Sequence, residues 1–489
     1  MNFGKRLIIS VLLNTFRSVI IFVTGMILAR GLGPEEYGLF SFLLASFAAI
    51  ITLFDMGSSS AFFSFISKRV RSKYFFLTYF YWVLFQFLAA LILIVLVIPD
   101  SWLYLIWQGE SKKLVSIAFI AIFFQNQIWT LVVKVGESQR LTTMAQMLGV
   151  LIALVHFGLV IFLYYKDLLA IEYIYYLISI EIIIGATVAK LIFPLEFVEE
   201  KETFYNHFYE YWKFCKPLIP YVWLSVVMSF ADTWLLRFFS GSIEQGYYAV
   251  AAQMGTVTLL FTSSVIRVLW KEAAEANENS DSERVAYVYK RVSRIVFMIG
   301  VIISAFLIPW TKEIIIILLG SQYLEGATVM MIMFLYPIHQ SLGQINATMY
   351  FALELTFPYV VIGSVHLITS IFVIYFILAP SDAFFPGLGL GAIGLALKMV
   401  ILQIICVKVY IWWLSRNKGW SFDIGYQVVS IGLFLILGFL SYKLANTLFD
   451  EEVYVLIRGS ISAAFYALAA AIIFYRLPWL LGLTKSELK

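Results

Sequence analysis

The sequence predicts an all-α polytopic membrane protein of about fourteen transmembrane helices, built as two six-helix lobes and a C-terminal helix pair. Hydrophobic residues make up 62% of the 489 residues and charged residues only 13%, and the mean hydropathy is +0.90, which lies far outside the range of soluble domains. Apolar runs of about twenty residues recur along the chain, each long enough to cross a hydrocarbon layer of about 30 Å. A short polar motif also occurs twice, which indicates an internal duplication.

The repeated motif begins with an arginine and ends with a glycine. Arg30 is followed by GLGPEEYG, which ends at Gly38, and Arg237 is followed by FFSGSIEQG, which ends at Gly246. Subtraction puts the arginines 207 residues apart and the glycines 208 residues apart. Because each copy lies between two apolar runs, the chain reads as one long module used twice, as is common in transporters.

Apolar runs separated by charged or Gly/Pro-containing breaks give the predicted spans. The first run follows Lys5 and Arg6, is too long for a signal-peptide core and lacks a small-residue cleavage site, so we predict a retained span. The approximate cores of the fourteen spans are 7–29, 39–66, 74–98, 114–133, 144–165, 171–193, 214–239, 246–270, 292–310, 326–353, 357–379, 388–411, 424–446 and 453–475.

The distribution of lysine and arginine predicts the orientation. These residues are concentrated at the N-terminus and in the loops after spans two and eight, so the positive-inside rule places both termini in the cytoplasm. Six spans precede the second copy, so both copies enter from the same side and are related by an axis along the membrane normal. We predict an N-terminal lobe at residues 1–206, a second lobe at 207–418 and an additional helix pair at 419–489.

Several classes of function are disfavoured by the motifs. No basic run interleaves with aromatic residues in a soluble segment, as nucleic-acid binding would require. Cys215 and Cys406 show no paired spacing, so neither a disulfide framework nor a metal site is predicted. The GxGxxG pattern at 389–394 opens a span rather than following a strand. We expect no cofactor, no enzymatic activity and no ATP hydrolysis by this chain.

Polar residues inside the spans are the candidate functional residues, because each costs free energy in lipid unless it faces a partner or water. Two alternatives stay open: Ser, Thr and Gln are common helix-packing residues, and lysine or arginine near a span end can reach the interface. For Lys216 and Arg267, a position at the interface carries the same weight as a functional role. For Asp232, a structural ion pair carries the same weight as a functional role. The candidates are Asn14, Arg17, Asp55, Lys216, Asp232, Gln253, Arg267 and Lys398.

Two further features carry simpler interpretations. Arg30 and Arg237 lie at the predicted outer mouth, where we expect them to act as interfacial anchors. Gly57, beside Asp55, is expected either to loosen the helix or to form a static kink.

Four stretches resemble the Wzx-type O-antigen and polysaccharide flippases of the multidrug/oligosaccharidyl-lipid/polysaccharide (MOP) exporter superfamily. They are ARGLGPEEYGLFSFLLA, Asp55-Met56-Gly57, FADTWLLRFFSGSIEQGYYAVAAQM and GLGLGAIGLAL. The resemblance implies a V-shaped pair of lobes around a cationic cavity in the bacterial inner membrane. It also implies that an undecaprenyl-pyrophosphate-linked oligosaccharide moves from the cytoplasmic to the periplasmic leaflet by alternating access, with proton or sodium coupling left open. A polysaccharide polymerase and a chain-length regulator are the partners it suggests.

Two other functions remain alternatives. A drug or organic-cation antiporter of the same superfamily would favour acidic and aromatic residues in its cavity, whereas several candidates here are Arg or Lys. A polysaccharide polymerase or ligase usually carries a long periplasmic loop, and the predicted outward loops are short. The sugar repeat and the choice between O-antigen, capsule and another glycan stay open.

Overall fold

The computed structural model describes residues 3–193, 197–198, 203–257, 259, 272–273, 275–279, 281–420, 425–449 and 454–482. All regular secondary structure in these residues is helical, with no strand among them, so the predicted all-α class is confirmed. The chain divides into two compact units, residues 1–246 and 247–489. This division rests on the compactness of each unit, and the two lobes and the additional helix pair drawn from the sequence stay a prediction.

The helices of the first unit follow the apolar runs, with two additional amphipathic or short helices between them. They are α1 (Phe3–Asp55), α2 (Ser58–Lys68), α3 (Lys73–Ile92), α4 (Asp100–Trp107), α5 (Lys112–Phe123), α6 (Thr130–Ser138), α7 (Thr142–Tyr165), α8 (Ile171–Ile192), α9 (Phe204–Cys215) and α10 (Ile219–Val257), whose last residues belong to the second unit. Helix α1 packs chiefly on α7 and also on α5, and α5 packs on α8.

The second unit continues with helices that share one hydrophobic core. They are α11 (Ser282–Leu307), α12 (Thr311–Leu318), α13 (Ala327–Met333), α14 (Tyr336–Ala352), α15 (Thr356–Leu378), α16 (Gly391–Lys418), α17 (Gly425–Leu448) and α18 (Val455–Arg476). Helix α14 packs on α11 and α16, and α17 packs on α11 and α18. The C-terminal pair α17–α18 is thus attached to the core of this unit through α11.

Ten helices of the described residues are long and apolar enough to cross a membrane, or eleven if α11 and α12, which meet at 76°, form one broken span. Two of the ten, α1 and α10, each contain a non-helical glycine that divides them. The total of fourteen spans stays a prediction.

The two dividing glycines occupy equivalent places in the repeated motif. Gly33 has φ 78° and ψ 172°, and Gly241, 208 residues later, has φ 84° and ψ −178°. A positive φ with an extended ψ is open to glycine and strained for other residues. The backbone therefore turns in the same way in both copies of the motif.

The glycines that end the motif lie at a close backbone approach. A Cβ added at Gly38 would lie 1.8 Å from the carbonyl oxygen of Ser242, and one added at Gly246 would lie 2.0 Å from that of Pro34. Pro34 and Ser242 are also 208 residues apart. Exchanging the two copies of the motif therefore turns the contact of Gly38 with Ser242 into the contact of Gly246 with Pro34. Such reciprocity is the property of a two-fold axis, and only a glycine fits at either position.

Candidate functional site

Arg17 is a half-buried cation in the first predicted span. Its guanidinium lies against Gly149 of α7, where an added Cβ would be 3.6 Å from both Nε and Nη1. The Nε atom is buried and has no hydrogen-bond partner, and no ion pair to Arg17 occurs in the described part of the chain. Asn14, one helical turn earlier, is exposed. A cation in a span without a protein counter-charge is costly unless an anion or water meets it.

Asp55 ends α1 and caps the next helix. Its carboxylate, 8% exposed, accepts hydrogen bonds from Ser58 Oγ at 2.8 Å, from the Ser59 backbone N–H at 3.1 Å and from Ser59 Oγ at 3.0 Å. Between Asp55 and Ser58 the chain passes through positive φ at Met56 and Gly57. Predicted span two is therefore broken here, and the carboxylate satisfies the backbone N–H of Ser59 in the first turn of α2.

The Asp55 carboxylate lines a small cavity of about 80 Å³ between α2, α3 and α9. Its walls are largely aromatic, with Tyr79, Trp82 and Tyr211 among them. Trp82 Nε1 donates to Ser58 Oγ at 3.0 Å, and burial raises the pKa of the Tyr211 phenol well above its ordinary value. The space suits a few waters or a small cation and is too small for a sugar chain.

Helix α9 is held against the segment that leads into α3 by an ion pair and hydrogen bonds. Arg71 donates to Glu210 through both Nη atoms, at 3.1 and 2.7 Å, and Ser72 Oγ lies 3.2 Å from His207 Nε2. The guanidinium of Arg71 also lies 4.7 Å from the centroid of the Phe75 ring. The segment between predicted spans six and seven thus contains a firmly attached amphipathic helix that closes one side of the Asp55 cavity.

Four of the five remaining candidates lie on or beside described helices. Lys216 is exposed at the end of α9, and Asp232 is half-buried on α10 and takes part in a polar interaction. Gln253, half-buried on α10, and Lys398, 4% exposed on α16, belong to the second unit. Arg267 lies outside the described residues. The role of this set in translocation stays a prediction.

An ionisable pair in the first unit was not predicted from the sequence. His156 Nδ1 of α7 lies 2.8 Å from Glu181 Oε2 of α8, and Glu181 is 8% exposed. Glu181 Oε1 is buried and has no hydrogen-bond partner. An acidic residue in the middle of an apolar run is a signal that the sequence already contained. Its partner on another run could be identified only from the packing of α7 on α8.

Lys134 of α6 was also missed. It lies just beyond the predicted core of span four, and its Nζ donates to the backbone carbonyl of Ser59 at 2.8 Å. This places a cation at the same helix break as the Asp55 carboxylate.

The expectation that Arg237 is an interfacial anchor is wrong. Arg237 is 3% exposed, forms an ion pair with Glu110 at 2.7 Å and donates from Nε to Gln108 Oε1 at 3.1 Å. Its guanidinium lies 4.5 Å from the centroid of the Phe42 ring. A charge held by a carboxylate and an aromatic ring stays buried instead of reaching the interface.

Comparison with solved structures identifies the fold. The chain is similar to the lipid II flippase MurJ in its inward closed conformation, with 18% identity, a TM-score of 0.72 and coverage of 96% of this chain and 99% of that chain. It is also similar to a multidrug resistance MATE family transporter of the MOP superfamily in an inward-facing conformation. That likeness has 14% identity, a TM-score of 0.61 and coverage of 83% of this chain and 96% of that one.

A third solved structure, a MOP superfamily transporter from Pyrococcus furiosus whose binding pocket is described as reversed in polarity, has 13% identity and a TM-score of 0.53. The likeness covers 84% of this chain and 94% of that one. No curated protein matches the sequence. The family model described as "Polysaccharide biosynthesis protein" matches residues 3–270, more than half of the chain. This multi-pass membrane protein with the fold of the MOP exporters therefore belongs to the polysaccharide biosynthesis protein family.

Proposed function

We propose that the protein is a flippase for a lipid-linked oligosaccharide. Its substrate is the undecaprenyl-pyrophosphate-linked repeat unit of O-antigen or a related surface polysaccharide, moved from the cytoplasmic to the periplasmic leaflet of the bacterial inner membrane. Membership of the polysaccharide biosynthesis family supports the class of substrate. The fold shared with a lipid II flippase along nearly the whole chain supports the mode of transport.

The observation that carries the proposal is the state of Arg17. A half-buried guanidinium with an unpartnered Nε, in the first span of a transporter fold, is suited to an anionic ligand. Pyrophosphate offers oxygens that match the planar fork of arginine. A cavity for organic cations would place an acidic residue at such a point.

The other candidates receive supporting roles in this mechanism. Asn14 lies one turn from Arg17 and offers an amide to sugar hydroxyls or phosphate oxygens. Lys216, Gln253, Arg267 and Lys398 supply further positive charge or hydrogen bonds along the path. Asp55 and Asp232 serve the conformational cycle, and the caps that Asp55 makes to Ser58 and Ser59 link its charge to the break between α1 and α2.

The proposal is tested by leaflet-specific labelling of lipid-linked repeat units in a deletion strain. We expect single repeat units to accumulate on the cytoplasmic leaflet and the polymer to disappear from the cell surface. Complementation with the wild-type gene or with Lys166→Ala, which removes an exposed cation after α7, should restore the polymer. Arg17→Ala should not restore it, whereas Arg17→Lys should restore part of it.

Each other outcome has a distinct meaning. Periplasmic single repeats in the deletion strain would indicate a polymerase and overturn the proposal. Unchanged glycan with altered efflux of dyes would indicate a drug exporter. Normal glycan in the Arg17→Ala strain, at normal membrane abundance, would remove Arg17 from the mechanism.

The orientation can be examined separately with reporter fusions. Fusions after Gly33 and after Ser242 should report the periplasm, and fusions after Ser72 and after Asn279 should report the cytoplasm, as the distribution of Lys and Arg predicts. Opposite results at either pair would exclude the arrangement in which both copies enter from the same side.

A further inference from the structure

The C-terminal helix pair contributes to a polar pocket in the second unit that includes none of the candidate translocation residues. The pocket has a volume of about 560 Å³, which lies in the range of small-molecule sites. Its polar lining comes from three helices: Glu313 of α12, Tyr442, Lys443, Asn446 and Thr447 of α17, and Arg458 of α18.

The inner wall of the pocket is fixed by hydrogen bonds. Arg458, only 8% exposed, donates from Nη1 to Asn446 Oδ1 at 2.8 Å. Tyr442 donates to Glu313 Oε1 at 2.7 Å, and its ring packs edge-on against Trp310 at a centroid distance of 4.9 Å. These contacts join α12, α17 and α18 around the pocket.

Two polar atoms in this wall remain unsatisfied. Arg458 Nε and Glu313 Oε2 are both buried and have no hydrogen-bond partner. A buried donor on a guanidinium is costly to leave unpaired, because it has lost its water without gaining an acceptor. An acceptor supplied by a ligand would pair the Arg458 donor.

The charge of the pocket favours an oxyanion. Lys443 and Arg458 contribute two positive charges and Glu313 one negative charge. Neither cation forms an ion pair among the residues that the structure describes. Arg458 also lies in the first turn of α18, where the positive end of the helix dipole adds to the attraction for an anion.

The position of the pocket indicates the kind of molecule that carries the oxyanion. Lys443, Asn446 and Thr447 lie in the last turns of α17, and Arg458 lies at the start of α18, so the polar groups are near the ends of two apolar spans. Phe439, one turn deeper in α17, also lines the pocket and is 54% exposed. We propose that this pocket binds the phosphate of a membrane lipid, with its apolar chain beside Phe439.

Binding to purified full-length protein tests the proposal. Titrations with phosphatidylglycerol, phosphatidylcholine, undecaprenyl pyrophosphate and inorganic phosphate would be followed by native mass spectrometry. We expect Lys443→Gln, at an exposed position, and Arg458→Lys, which keeps the charge but loses the planar fork, each to weaken lipid binding by about tenfold. Lys312→Gln removes an exposed lysine of α12 that does not line the pocket and should bind as the wild type does.

The four ligands of the titration distinguish which kind of molecule supplies the bound phosphate. Tight binding of phosphatidylglycerol but not of phosphatidylcholine, lost in the two pocket variants, supports a site for bulk anionic lipid. The same pattern with undecaprenyl pyrophosphate alone supports a site for the transported lipid, a reading that rests on the proposed function. Because binding is measured on purified protein, failure of the flippase proposal would leave this result unchanged.

Three results would overturn the inference. They are equal lipid binding by the wild type and both pocket variants, an equal loss in Lys312→Gln, and binding of inorganic phosphate without either anionic lipid.

Discussion

The two copies of the motif share the backbone conformation of their glycines. They differ in whether their arginine is exposed or buried. Gly33 and Gly241 have the same unusual conformation, and Gly38 and Gly246 make the same close approach. Arg30, however, is exposed, whereas Arg237 is 3% exposed and paired with Glu110.

The register of the repeat explains this difference. The glycines are 208 residues apart and the arginines 207, so in the glycine register Arg237 corresponds to Ala29 and Arg30 to Phe238. Ala29 is 0% exposed and Phe238 is 44% exposed, in agreement with Arg237 and Arg30. A shift of one residue rotates a side chain by about 100° around a helix. The pattern of buried and exposed side chains therefore follows the register set by the glycines. The arginine of the second copy falls on the buried face in this register, where its charge needs a carboxylate partner.

The largest effect is expected when the buried arginine loses its charge. Arg237→Ala leaves Glu110 without its cation, which we expect to cost about 3–5 kcal/mol of folding free energy. The measurement is thermal unfolding of the purified protein together with its abundance in the membrane. The double variant Arg237→Ala with Glu110→Ala should recover part of the loss, because no unpaired charge remains. Wild-type stability of Arg237→Ala would show that the pair is not structural.

The next effect concerns the reciprocal contact of the two copies. Gly38→Ala and Gly246→Ala each force a methyl group onto a backbone carbonyl, and we expect each to cost about 1–3 kcal/mol. The two losses should be similar, since the contacts are equivalent. Gly158→Ala in α7, where no atom lies within 4 Å of an added Cβ, is the matched control for thermal unfolding. A loss in one variant only would break the two-fold relation.

Sequence alone predicted the features that depend on composition and spacing. Apolar runs located the helices, and the motif spacing predicted the repeat, whose turning glycines share one backbone conformation. The cap at Asp55 depends on the chain turning back at Met56 and Gly57, and the His156–Glu181 pair joins two helices, so neither can be read from one run. Arg237 was misinterpreted because aligning the two arginines conceals the one-residue shift that buries it.

A smaller and equal effect is expected at the two turning glycines. Gly33→Ala and Gly241→Ala place a side chain at positive φ with an extended ψ, a region almost confined to glycine, which we expect to cost about 1–2 kcal/mol at each position. Gly432→Ala in α17, with no atom within 4 Å of an added Cβ, provides the control for the helical background. Thermal unfolding of the three variants makes the comparison. A clear inequality between Gly33→Ala and Gly241→Ala would mean that one copy relaxes its turn while the other holds it.

The smallest effect is expected at the exposed arginine. Arg30→Ala should change the free energy of unfolding by no more than about 0.5 kcal/mol, as is usual for an exposed substitution. Ala29→Arg, by contrast, places a charge on the buried face of the first copy, at a position that is 0% exposed, and should be as damaging as Arg237→Ala. Both are measured by thermal unfolding under the same conditions. If Arg30→Ala were the costly change and Ala29→Arg the harmless one, the arginines and not the glycines would set the register, and the explanation for the burial of Arg237 would fail.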